Sequence, residues 1–167
     1  MNAGIYATPV VSGSVVYVVD LQGTVAAFDF AAKKTIWTVQ TPTGVRAAPL
    51  LFGKGLLVLS TSGDVSFLKL EDGSPLMPPR RLEGSFACPP AVVDDDLLVF
   101  AAEEGTLFGF KPSTGETKWR KTIGDVRIRR TPPVQGPEIY VSRRPGHLIA
   151  LDANTGAQVY FFEQTPN

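Results

Sequence analysis

Gly105-Thr-Leu-Phe-Gly-Phe-Lys-Pro-Ser-Thr-Gly-Glu-Thr-Lys-Trp119 is followed, a little over forty residues on, by Gly146-His-Leu-Ile-Ala-Leu-Asp-Ala-Asn-Thr-Gly-Ala-Gln-Val-Tyr160. Each stretch opens on a glycine, carries a Thr-Gly pair in its second half and closes on a large aromatic residue 14 positions after the first glycine. The same frame recurs upstream with Gly23 and Trp37, and again with Gly63 and Met77. The four glycines are separated by 40, 42 and 41 residues. A proline opens each copy, at Pro9, Pro49, Pro89 and Pro132. Self-similarity at a fixed period of this length is the signature of a repeat architecture.

Within a copy the pattern predicts four short strands. In the first copy these are Thr8 to Val11, Val15 to Val19, Thr24 to Phe30 and Thr35 to Val39, rich in β-branched and aromatic residues. The glycine before the third strand suits a turn that needs a positive φ. The turn before the fourth strand carries Gly73, Gly115 and Gly156 in copies two to four, but Lys33 in copy one. That first turn is therefore expected to be strained or of another type. Four strands per unit of about 41 residues reads as an all-β chain of four β-propeller blades, each of four antiparallel strands. The blades fall at about 7–40, 47–80, 87–122 and 131–162 of a single segment spanning 1–167.

The G-x-L-x-A-L-D-x-x-T-G-x-x-x-W core resembles the tryptophan-docking repeat of the pyrroloquinoline-quinone (PQQ)-like propeller superfamily. The resemblance runs from about Thr8 to Phe162 and is fullest in copies three and four. Copy one keeps Asp29 and Trp37 without the Thr-Gly, and copy two keeps Gly63, Asp72-Gly73 and Met77. The resemblance implies that each closing aromatic docks on the neighbouring blade's turn. It also implies seven or eight blades, so four copies make about half a ring. A portion of a longer propeller, or a chain that pairs with a second copy, is preferred to closure as four blades. The superfamily holds both quinoprotein dehydrogenases and non-catalytic envelope scaffolds. The scaffold reading implies a protein or peptide partner and a periplasmic or cell-envelope setting.

Composition narrows the chemistry. The 16 basic and 16 acidic side chains cancel, without the basic excess of a nucleic-acid binder. No apolar run is long enough for a membrane span, and the first residues do not read as a signal peptide. Cys88 is the only cysteine, so the adjacent-cysteine disulfide of a quinoprotein site cannot form. His147 is the only histidine, and it is expected to be a solvated turn residue. No nucleophile elbow or phosphate loop is present. Asp94-Asp95-Asp96 reads as a solvated hairpin tip rather than a Ca²⁺ site. The expectation is no catalytic residue, no cofactor and no metal. The alternative is the propeller part of a quinoprotein-like dehydrogenase, or of a larger enzyme or receptor.

One charge feature stands out. Arg127, Arg129 and Arg130 lie in the connection from blade three to blade four, which is three residues longer than its counterparts. Arg143 and Arg144 lie in the following B–C turn, and Arg46 lies in the connection into blade two. These six are the candidate anion- or partner-binding residues, since guanidinium forks match carboxylates and phosphates. The competing expectation is that Glu103 and Glu104, on the B–C turn of blade three, pair with them.

Overall fold

The computed structural model describes residues 4–42, 44–124, 126–143 and 146–163. Among these the chain forms four four-stranded antiparallel sheets and no helix, each a simple meander. The first sheet is β1 (Val10–Ser12), β2 (Val15–Val19), β3 (Thr24–Asp29) and β4 (Lys34–Gln40). The second is β5 (Leu50–Phe52), β6 (Gly55–Leu59), β7 (Asp64–Lys69) and β8 (Arg80–Arg81). The third is β9 (Ala91–Asp94), β10 (Leu97–Ala101), β11 (Thr106–Lys111) and β12 (Glu116–Thr122). The fourth is β13 (Val134–Gln135), β14 (Glu138–Arg143), β15 (His147–Asp152) and β16 (Gln158–Glu163). Contacts cluster the chain into two compact units, Met1–Pro89 and Pro90–Asn167, each holding two sheets.

In the first unit, cross-strand pairing sets Tyr17, Ala27 and Trp37 in one row across the sheet. That row faces Leu56, Val58 and Leu68 of the second sheet, and together they form one buried cluster. The Trp37 indole N–H donates to the Leu70 carbonyl at 2.9 Å. Its six-membered ring lies over Gly73, where a Cβ would stand 2.7 Å from Cε3. The second unit repeats this geometry. Trp119 donates to the Ala153 carbonyl at 2.8 Å and covers Gly156. Its row packs on Ile139, Val141, Ile149 and Leu151 of the fourth sheet. The closing tryptophans thus dock on the next blade's turn. Burying an aromatic ring with its N–H satisfied is worth several kcal/mol, on the order of 3–5 by truncation.

The small residue of the repeat has a packing role that only the register displays. Trp37 stands opposite Ala27, Trp119 opposite Gly109 and Tyr160 opposite Ala150. The ladder shifts by one residue immediately after each of these small residues. A Cβ on Gly109 would lie 2.1 Å from the Trp119 indole nitrogen, so the ring lies across its own sheet at that point.

Lys33 adopts φ of 52°, the left-handed conformation that Gly73, Gly115 and Gly156 take at 72°, 70° and 71°. The turn type is kept and the lysine bears the strain. The second sheet departs from the four-strand expectation at its outer edge. Only Arg80 and Arg81 pair there, after a single bridge between Leu68 and Pro75. Pro75, Pro78 and Pro79 remove three N–H donors from the ladder, which keeps β8 to two residues.

Candidate functional site

The long connection between β12 and β13 is held at both ends by apolar anchors. Ile123 and Ile128 are buried in the cluster between the third and fourth sheets. The Ile128 amide donates to the Glu103 carbonyl at 3.0 Å, tying the connection to the B–C turn of the third sheet. The shorter connections of the first unit are tied in the same way, Gly44 to Leu21 and Phe86 to Thr61. Because Ile128 points inward, its neighbours Arg127 and Arg129 point outward, and both are exposed, as is Arg130.

These three arginines line a cleft of about 400 Å³ whose other walls include Tyr140, Ser142 and Leu148 of the fourth sheet. Glu103 takes one of them: its Oε2 lies 3.5 Å from Arg129 Nε. The Arg129 side chain is 63% exposed, so this pair is a surface contact of small energetic value. Both expectations therefore hold a share of the geometry. An acidic neighbour engages Arg129, and the cluster still presents exposed cationic groups.

Arg143 closes β14 and is half-buried. Its guanidinium reaches to within 3.7 Å of where a Cβ on Gly124 would stand, at the start of the arginine connection. Its Nε is enclosed with no hydrogen-bond partner. The B–C turn of the fourth sheet and the connection before it therefore meet, as the strand pattern implied. Arg144 lies outside the described residues. Arg46 is exposed in the β4–β5 connection of the first unit, between buried Val45 and Ala47.

The remaining polar candidates are structural. Asp96 accepts from the Ser113 amide and hydroxyl at 2.9 and 2.7 Å, and Asp94 accepts from the Asp96 amide at 2.8 Å. The Ser113 bonds hold the Asp96 carboxyl below the usual carboxylate range. The acidic triplet thus ties its hairpin to the turn between β11 and β12. Asp152 accepts from the Asn154 amide and from the amide and hydroxyl of Thr155, which explains the Asp-x-x-Thr-Gly element as a turn clasp.

His147 differs from expectation. It is not a solvated turn residue: its side chain is only 17% exposed, its ring lies 5.0 Å from that of Phe161, and its Nε2 is 3.2 Å from Glu163. The register is the cause, because it sets His147 as the first residue of β15, directly opposite Glu163. Cys88 is buried, as a small apolar residue would be.

The residues present do not fit a quinone site. One buried cysteine cannot supply the disulfide, and among the described residues no three His, Cys, Asp or Glu side chains gather to hold a metal.

Comparison with known proteins accords with this geometry. The family model described as outer membrane protein assembly factor BamB matches residues 1–77 and 79–167. The crystal structure of BamB from Moraxella catarrhalis superposes with a TM-score of 0.79 at 25% identity, over 97% of this chain and 49% of that one. Two computationally designed proteins share the fold. Ika8 matches at a TM-score of 0.76 and 13% identity, over 92% of this chain and 48% of its own. Ika4 matches at 0.75 and 15%, over 91% and 92%. No curated protein matches the sequence. The chain spans about half the length of the solved BamB structure.

Proposed function

The chain belongs to the BamB family of PQQ-like β-propellers, and from that membership we propose that it is a non-catalytic scaffold serving outer-membrane protein assembly. The partner is a protein segment carrying carboxylates, and the contact is made by the arginine connection between β12 and β13. The observation that carries this reading is the exposure of Arg127, Arg129 and Arg130 around one cleft, with Ile128 buried between them as an anchor. A connection fixed at Ile123 and Ile128 holds its guanidinium groups in place. Less side-chain and backbone entropy is then lost when a carboxylate docks. Bidentate pairing of guanidinium with carboxylate supplies direction as well as charge. The zero net charge of the whole chain leaves this patch as a local feature.

The test is fluorescence anisotropy with a labelled acidic peptide, comparing the native chain with Arg129→Glu/Arg130→Glu. Both side chains are exposed, so the variant should fold normally. The reading predicts that binding weakens by at least about tenfold. Equal binding by both proteins would refute the arginine contact.

A further inference from the structure

Each docked pair of sheets has a donor row and an acceptor turn. In the first sheet the donor positions are Tyr17, Val25 and Trp37, which are 3%, 0% and 8% exposed. In the third they are Val99, Leu107 and Trp119, at 0%, 0% and 9%. Register places Tyr140, Leu148 and Tyr160 at the same positions of the fourth sheet. There Leu148 is 41% exposed, Tyr160 66% and the neighbouring Phe162 53%. The fourth sheet therefore presents a complete donor face with nothing docked on it among the described residues.

An acceptor is built from a carbonyl and, three residues later, a left-handed turn residue. Leu70 with Gly73 forms one, and Ala153 with Gly156 the other. In the first sheet the equivalent pair is Phe30 with Lys33. Phe30 is 73% exposed, and Lys33 has the required φ of 52°. Behind that turn Val16, Val18 and Phe28 stand where the second sheet uses Leu56, Val58 and Leu68.

The two unmatched ends differ from the docked pairs in a complementary way. An indole needs a glycine at the acceptor, because a Cβ on Gly73 or Gly156 would come within 2.7 or 2.5 Å of its Cε3. Lys33 carries a Cβ, and Tyr160 lacks the second ring that would meet it. Tyrosine on lysine fits where tryptophan on glycine fits.

We propose that the open face of the fourth sheet docks on the first sheet of a second copy of this chain, with Tyr160 seated on the Phe30–Lys33 turn. The exchange is reciprocal and twofold, so donor and acceptor of both copies are used. Two such chains together have about the length of the solved BamB, of which one chain covers 49%. Docking covers Tyr140 and Leu148, on the floor of the arginine cleft, and leaves the exposed arginines at its rim.

The experiment is light scattering on the 167-residue chain at micromolar concentration. The expected mass is twice 17.9 kDa, and a single-chain mass overturns the proposal. Two variants then identify the acceptor, with circular dichroism checking that each is folded. Tyr160→Trp should weaken the pair at least about tenfold, and adding Lys33→Gly to the same chain should restore it. Tighter pairing by Tyr160→Trp alone would mean that the acceptor carries a glycine. The occupant would then be a different blade, which also overturns the proposal.

Discussion

The indole of Trp119 lies directly on Gly156, and its N–H reaches the Ala153 carbonyl at 2.8 Å. Gly156 has φ of 71°, and a Cβ there would stand 2.5 Å from Cε3 of the ring. Gly156→Ala therefore adds a ring clash to the backbone strain of a left-handed alanine. Gly136 has φ of 59° and open space around it, so Gly136→Ala incurs the strain alone. Chemical denaturation should find Gly136→Ala destabilised by about 1 kcal/mol and Gly156→Ala by at least about 1 kcal/mol more. Equal losses would mean that the indole does not rest on that turn.

Trp119→Ala removes the ring and its hydrogen bond together. The expected loss is about 3–5 kcal/mol, and Trp37→Ala should behave alike because its environment is the same. A loss below about 1 kcal/mol in either is the range of an unpacked surface residue and would contradict docking.

Lys33 is the reverse case. Its left-handed φ of 52° is a strain that glycine does not feel. Lys33→Gly should leave the fold intact and raise stability by up to about 1 kcal/mol, the left-handed penalty less the added unfolded-state entropy of glycine. A clear loss in thermal denaturation would show that the lysine side chain has a stabilising contact in its own sheet.

Acid should unfold the chain through its turn carboxylates. Burial alone would raise Asp64, but hydrogen bonds from Ser62 and Ser60 and the Arg81 charge outweigh it and hold the carboxyl low. Asp152 is lowered by Thr155, Asp96 by Ser113 and Asp72 by Ser74. For a group depressed in the folded state, stability is full above the unfolded pKa. It declines as pH falls from about 4 through the folded value. Urea midpoints should therefore be flat from neutral pH to about 5 and drop below about 4, with a shallower drop in Asp152→Asn. Midpoints that do not fall in acid would contradict the clasps.

Titration with pyrroloquinoline quinone and Ca²⁺ should leave the quinone absorbance unshifted. A stoichiometric shift would replace the scaffold reading with a quinoprotein one.

Much of this fold is legible in the chain because the repeat marks its own turns. A glycine that must have positive φ and an aromatic 14 residues later define a blade without any contact being known. Lys33 is legible as the odd member of a glycine series. The arginine cluster is legible from the length of its connection. What the pattern does not reveal depends on register. The small residues Ala27, Gly109 and Ala150 matter because pairing sets each across from a closing aromatic. His147 is packed rather than solvated because the ladder puts it beside Phe161 and opposite Glu163. The enclosed Nε of Arg143 depends on where the connection folds back, which no local pattern encodes. The shortness of β8 could have been read from its three prolines.

The scaffold reading rests on charge at one connection, and the dependence of binding on salt measures that charge directly. Calorimetric titration of the native chain with an acidic peptide, repeated over a range of NaCl concentrations, is the decisive measurement. The account predicts an association constant that falls steadily with salt as exposed guanidinium–carboxylate pairs are screened, with a flatter dependence in Arg129→Glu/Arg130→Glu. A salt dependence that is flat, or unchanged by removing the two arginines, would contradict it.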